Sequence, residues 1–392
     1  MQSLPYIYRK ESSDLYFLGN AKKDYVACSK TLIDILELID SGLTVSQISA
    51  KLGLTEDAVM EGIRNLFNNG FLNSETLSAT DNSPQKLQLP RPNKHLKILS
   101  TLLLSLLAVS TVIILLTLVF YPQALPTFDN FFWSKRISID LLTFILFSVV
   151  TLLFHEFSHF VFAKAEGLDS SFSISNRLNY LVVETSLKDV YLLKRKDRIL
   201  IYLAGISVDV ITIAPCLVAI IYLYSIGNLS NSLSLILLLK QFIIVQISSI
   251  LWEFLIYMKT DIYFVLENIL GTYNLIDFSK NLLSNVFRNK DLWNGMEDVR
   301  KKERGTIFIY SIIFMLGTAV ALIRYVIYHI PISLNVFFVS VKNFNSGILN
   351  YDFNTVVDAV VTFGIEAFYL SLLAIIILRK LKLSGTANKS NS

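Results

Sequence analysis

The 392-residue chain carries 35 Lys and Arg, 31 Asp and Glu and a formal net charge of +4, where an ordinary soluble composition would hold roughly 98 charged side chains. The shortfall of about 32 equals what roughly six membrane spans remove, because a span of about 20 residues normally carries almost no charge; a wholly soluble protein is thereby excluded. Two cysteines, Cys28 and Cys216, are too few for a disulfide framework or a thiolate metal site.

The charge that remains is concentrated at the two ends of the chain and in the connections. Within residues 1–75, DLYFLGN and DYVACS read as short strands. TLIDILELIDSG (Thr31 to Gly42), LTVSQISAKLG (Leu43 to Gly53) and TEDAVMEGIRNLFNNGFL (Thr55 to Leu72) read as three helices, with Thr55 and Asp57 as first-turn acceptors and Asn69-Gly70 as the stop. This pattern predicts a small winged-helix module. Its third helix carries Glu56, Asp57 and Glu61 against Arg64, a poor surface for phosphates, so no nucleic-acid partner is expected. Residues 76–95 have linker composition. No apolar stretch behind a basic start occurs before them, so no cleavable signal is expected and the N-terminal module belongs in the cytoplasm.

Apolar runs of spanning length follow at Ile98 to Phe120, Ile137 to Ala163, Ile199 to Ile226, Ser232 to Met258, Thr306 to Ile330 and Val356 to Leu378. Lys and Arg cluster after the second, fourth and sixth runs and are sparse in the alternate connections, which include Lys342 after the fifth; the positive-inside rule then puts both termini in the cytoplasm. The expected architecture is mainly α: a polytopic bundle of about six spans over residues 96–383, with the cytoplasmic winged-helix module before it and a disordered tail, 384–392, after it. The expected location is the cell membrane, crossed several times.

The second run contains TLLFHEFSHFVFAK, with His155, Glu156 and His159 in an HExxH arrangement. Two histidines four apart share one helical face, so both imidazoles reach one zinc ion (Zn2+), and Glu156 is placed to take a proton from water there. Three such polar groups within five residues of a membrane helix are costly unless they serve a function. Counted from Ala163, His155 and His159 lie about 12 and 6 Å deep at 1.5 Å per residue, in the cytoplasmic third of the bilayer. A hydrolytic zinc needs a third protein ligand. His329 and Cys216 fall on the far side, and Cys28 and His95 belong to the soluble part, which leaves Asp209, Glu253 and Asp261 open. Asp209, about 15 Å into its span, is expected beside the site, where it would hold a ligand histidine from behind.

HEFSH in one span, RILIYLAGISVDV (Arg198 to Val210) and MKTDIYFVLENILG (Met258 to Gly271) resemble the site-2 protease family of intramembrane zinc metalloproteases, and within it the bacterial branch that processes ribosomally made peptides. The resemblance covers roughly residues 140–275. It implies that Asp261 is the third metal ligand, with Asp209 the second choice, and that Glu156 is the catalytic base. Ile262 stands where that family has Gly and Leu255-Ile256 where it often has Asn-Pro, so the residues that position substrate are not identified by it. The stretch Leu32 to Leu72 resembles the PqqD-like domains, which hold the leader of such peptides. Together the resemblances imply an intramembrane zinc endopeptidase that matures a bacteriocin-like or pheromone-like precursor. A peptide or membrane-protein substrate and membrane lipid are its partners; the oligomeric state is not indicated. Two other readings are cleavage of a membrane-anchored regulator and a non-catalytic peptide-binding or immunity protein. Two further features stand apart from the motif. RLNYLVVETSL alternates as a strand or hairpin at the membrane surface and is a candidate to hold an extended chain. Lys240, Arg324 and Glu366 are ionisable groups inside spans, the two bases within snorkelling reach of the outer interface.

Overall fold

A computed structural model describes residues 2–20, 24–73, 91–134, 136–177, 180–187, 189–226, 229–296, 299 and 301–389. Most of the expected linker therefore lies outside the described residues. The elements run β1 (Gln2–Ser3), β2 (Tyr6–Lys10), β3 (Tyr16–Asn20), β4 (Tyr25–Cys28), α1 (Lys30–Asp40), α2 (Val45–Leu52), α3 (Glu56–Asn68) and β5 (Leu72–Asn73). They continue with α4 (Lys94–Phe120), α5 (Ile137–Ala165), β6 (Ser171–Arg177), β7 (Tyr180–Ser186), α6 (Arg195–Tyr202), α7 (Ala204–Ser225) and α8 (Leu229–Glu253). The last are α9 (Asp261–Leu270), α10 (Leu275–Phe287), α11 (Arg304–Arg324), α12 (Ile330–Leu349) and α13 (Phe353–Lys389). The chain packs as two units, one of residues 1–100, 160–171 and 186–202, the other of 101–159, 172–185 and 203–392.

In the first unit β2, β3 and β4 form an antiparallel sheet in that order, with Leu18 opposite Tyr8 and Val26, and β1 pairs with β5. The expected strands and the three helices occur; β1, β2 and β5 are additions, the first and last only two residues long and β2 with its period-2 signal cut short by Arg9 and Lys10. Leu18 of β3, Leu36 of α1 and Val59 and Leu66 of α3 are fully buried at the centre, each helix contributing from one face. Thr55 Oγ1 accepts the Ala58 N–H at 3.3 Å, whereas Gly53 closes α2 at φ +66°, a conformation that favours glycine.

This unit also contains a buried ion pair that sequence periodicity does not reveal. Arg198 of α6 has no exposed side-chain surface and donates to Glu11 Oε1 at 2.6 Å and to Leu193 O at 3.0 Å, with its guanidinium 5.2 Å from the Phe17 ring centre. Burial alone would raise the Glu11 carboxyl, but the Arg198 and Arg195 guanidiniums outweigh it and hold Glu11 below its ordinary value. Removing one partner of a buried pair strands the other. Glu11→Ala is expected to cost about 3–5 kcal/mol, read as a lower thermal midpoint and faster proteolysis of the N-terminal module. Because the Glu11 pKa is lowered on folding, the stabilisation is complete above the unfolded value and disappears as pH falls through the lowered one; the acid limb of the stability profile should flatten in the variant.

Among the described residues, six helical stretches, in the second unit with the ends of α4 and α5 that belong to the first, are long and apolar enough to cross a membrane: 94–120, 137–165, 204–225, 232–253, 301–349 and 353–372. Large apolar side chains such as Leu106, Val109, Leu116, Leu142, Leu146 and Val320 are exposed along them, a surface that water would not tolerate on this scale and lipid would. The protein is a mainly helical, multi-pass membrane protein with a small N-terminal sheet. α7 and α8 pack through Ile213, Leu217, Ile220, Ile236 and Ile243. A separate core of Tyr263, Leu275, Ile276, Leu282, Ile307 and Tyr310 joins α9, α10 and α11.

Four boundaries differ from the expected ones, each for a physical reason. The third span begins at Ala204, since α6 ends at Tyr202 and belongs to the other unit; Asp209 is thus five residues into its helix, about 7.5 Å. The fourth ends at Glu253, and Asp261 opens a new helix instead of closing that span. The apolar residues between are satisfied by protein: Ile256 O accepts the Tyr310 hydroxyl, and the Tyr257 ring lies where a Cβ on Gly317 would fall. The fifth stretch has no loop after Ile330. A π turn over Tyr325–His329 carries α11 directly into α12, widening the backbone where Pro331 would otherwise clash with the preceding turn, and Lys342 is therefore helical. Finally, α13 runs to Lys389, past residue 383 where a tail was expected; Arg379, Lys380 and Lys382 are good helix formers.

Candidate metal centre

The scarcity of charge makes any ionisable cluster inside these helices conspicuous, and one occurs in the second unit. His155, Glu156 and His159 on α5 are buried, with the two imidazole centres 5.0 Å apart. Asp209 on α7 places Oδ2 2.9 Å from His155 Nδ1, and the Ser249 hydroxyl of α8 donates to the same oxygen at 3.2 Å. From α9, Asp261 Oδ2 stands between the two Nε2 atoms, 3.1 Å from His155 and 2.9 Å from His159. Glu156 is held from β7, where Thr185 donates its N–H to Oε2 at 2.7 Å and its hydroxyl at 2.9 Å. Glu253 Oε2 accepts the Asp261 N–H at 2.8 Å.

α5 and α7 approach closely here because α7 presents Gly205. A Cβ at that position would lie 2.2 Å from His155 Nε2 and 2.3 Å from Cε1, so only glycine lets the ring lie against the α7 backbone. Four residues on, one turn further along the same face, comes Asp209.

The electrostatics follow from the donor set. Four carboxylates (Glu156, Asp209, Glu253 and Asp261) surround two imidazoles, and the ion pairs of Asp209 and Asp261 among the described residues are with those histidines. An acid behind Nδ1 favours the tautomer with the proton on that nitrogen, in which the Nε2 lone pair would be free for a cation shared with His159 and Asp261. Ligand atoms of His155, Glu156 and His159 lie within 4.8 Å of one another, as do those of His155, Glu253 and Asp261. Two imidazoles with several carboxylates, carrying excess negative charge, suit a divalent cation, and nitrogen with oxygen donors suit zinc. The residues present therefore fit the metal that the HExxH pattern implies.

Comparison with protein-family models, curated proteins and solved structures yields no match to this chain.

All five residues singled out from the sequence, His155, Glu156, His159, Asp209 and Asp261, come together in this one place, as does Glu253. Glu366 stands apart on α13, and Lys240 donates to Gln123 O at 2.9 Å. RLNYLVVETSL contributes β7 of a two-stranded sheet with β6. Three contributors had no signal of their own: Gly205, Ser249 and Thr185, each small and each acting across long sequence separations. A Gly four residues before a buried Asp in an apolar run was the one available hint. Beside Glu156 opens a groove of about 750 Å³, lined by Val150, Leu153, Phe154, Phe157 and Phe172.

Proposed function

We propose that the protein is an intramembrane zinc endopeptidase in which His155, His159 and Asp261 hold the metal and Glu156 moves the protons. The observation that carries this reading is the Asp261 oxygen lying between two helix-stacked Nε2 atoms with a restrained carboxylate, Glu156, beside them. When bound, zinc supplies a Lewis acid that acidifies water and polarises a peptide carbonyl. Glu156 takes a proton from the attacking water as the new C–O bond forms, and returns it to the amide nitrogen as the C–N bond breaks; the remaining proton of that water then passes from the new carboxyl to the amine, so that water is consumed and one carboxylate and one ammonium are released. Thr185 fixes the Glu156 oxygen for both transfers. Asp209 orients His155. The apolar groove suits a chain entering from lipid, and the Phe172 edge of the hairpin suits an extended one, which exposes the carbonyl that a helix would hide.

On the same reading the N-terminal module is a PqqD-like winged helix that recruits a ribosomally made peptide precursor, both termini are cytoplasmic, and the host bilayer is the cell membrane. The resemblance to the site-2 protease family supports it, as do the acidic third helix and the three-stranded sheet.

Metal analysis of purified full-length protein tests the first step. About one zinc per chain is expected, with His159→Ala retaining a small fraction of it, because a site reduced to two ligands loses both charge and geometry. Zinc-free wild type, or full occupancy in His159→Ala, overturns the assignment.

A further inference from the structure

We infer that Glu253 is a positioning residue for Asp261, setting the direction in which the third ligand leaves its helix; the inference rests on the zinc reading above. A helix start leaves N–H groups without partners. Thr260, the residue before α9, would ordinarily cap them with its side chain, yet it makes no such bond. Its hydroxyl instead donates to Glu253 O at 2.8 Å, and the Glu253 carboxylate takes the cap position by accepting the Asp261 N–H at 2.8 Å. A carboxylate accepting from the first turn of a helix also meets the positive end of the helix dipole. One residue thus ties both ends of the connection from Phe254 to Thr260, through its main chain and its side chain.

The face of α8 involved extends this role. Ser249 and Glu253 are four residues apart and therefore one turn apart on one side of the helix. Ser249 holds Asp209, the acid behind His155, and Glu253 holds Asp261, the acid in front of it. α8 thereby sets the two acids that flank one imidazole, while contributing no atom that the chemistry above requires. The competing role is direct ligation, since a Glu253 oxygen also lies within 4.8 Å of the ligand atoms of His155 and Asp261. The two roles part on one substitution: glutamine keeps a carbonyl that accepts the N–H and loses the ligating charge.

The test is Zn2+ titration of the full-length protein against a chelator, with the absorption spectrum of the Co2+-substituted form as a second readout. Glu253→Ala is expected to weaken Zn2+ binding by about 10–100-fold, as loss of an outer partner of a ligand does, and Glu253→Gln to restore it with the wild-type Co2+ spectrum. Wild-type affinity in Glu253→Ala overturns the inference. Affinity in Glu253→Gln as weak as in Glu253→Ala, with an altered Co2+ spectrum, overturns it in favour of ligation. Where Glu253→Ala fails to fold, Glu253→Asp carries the test, because the shorter side chain withdraws the acceptor while keeping the charge; wild-type affinity there overturns the inference. A wild-type protein that binds no Zn2+ overturns the zinc reading itself and this inference with it.

Discussion

Glu156→Gln is expected to lower peptide-bond cleavage by about 10²–10⁴-fold, the range that a general acid–base contributes, while zinc content and substrate binding stay at wild-type levels. The substitution isolates the proton transfers from everything else at the centre. A glutamine carbonyl in place of Oε2 still accepts the N–H and hydroxyl of Thr185, which approach at 2.7 and 2.9 Å, so neither β7 nor α5 loses its anchor. What it loses is the capacity to receive a proton from water and pass it to the leaving nitrogen. The loss belongs in kcat, with KM little changed, because a group that acts only in the transition state contributes nothing to substrate binding. Mass spectrometry of peptide products from matched preparations, with metal analysis of the same samples, measures both quantities. Undiminished turnover by Glu156→Gln would sink the endopeptidase reading. Loss of zinc along with activity would make Glu156 a structural part of the centre instead. A wild-type protein that holds zinc and peptide but shows no cleavage for the substitution to remove would favour the non-catalytic peptide-binding alternative.

The sequence disclosed the parts of this centre that are local. HExxH lies within five residues of one helix, and helical spacing alone puts both imidazoles on one face. Asp209 stood out as an acid in an apolar run, and the expectation that it backs a histidine agrees with its 2.9 Å approach to His155 Nδ1, although the depth assigned to it was about twice too great because the helix break at Leu203 leaves no mark in an apolar stretch. The residues alone leave Asp209, Glu253 and Asp261 open as the third ligand, and only the family resemblance ranks Asp261 first. Periodicity could not have chosen it, since the run from Ser232 to Met258 reads as one membrane helix. Only the packing of Ile256 and Tyr257 against α11 shows why that run stops at Glu253: an apolar segment buried by protein and one buried by lipid have the same composition. The π turn before α12 is hidden likewise, because Pro331 at the edge of an apolar run marks a loop as readily as it marks a helix that widens to accept it. Thr185, Ser249 and Glu253 act through hydrogen bonds to residues that lie 29, 40 and 8 positions away, and no one-dimensional pattern encodes such pairs.

Gly205→Ala is expected to damage the centre as severely as loss of a residue that touches a ligand. The added methyl would sit 2.2 Å from His155 Nε2, 2.3 Å from Cε1 and 2.5 Å from Cδ2, far inside contact distance. Neither side can yield easily. The imidazole is fixed at Nδ1 by Asp209 and faces Asp261 at Nε2, and Gly205 is in the first turn of α7, whose next turn carries Asp209 itself. Pushing α7 away would therefore withdraw the acid that orients the ring, while rotating the ring would break the same bond and turn Nε2 from the shared point with His159. Either response costs metal affinity, by about 10–100-fold if the outer hydrogen bond is the main loss, and overpacking adds roughly 1–3 kcal/mol of destabilisation. Zn2+ titration and the thermal midpoint measure the two effects separately. A substitution that raised helix propensity without touching the centre would stabilise the protein and leave Zn2+ binding intact, so wild-type affinity with an unchanged or higher midpoint in Gly205→Ala would show that α5 and α7 do not meet at His155. A deficit in both, paired with a Ser207→Ala control one residue pair away on the same helix that retains zinc, would tie the close approach of these two helices directly to the metal.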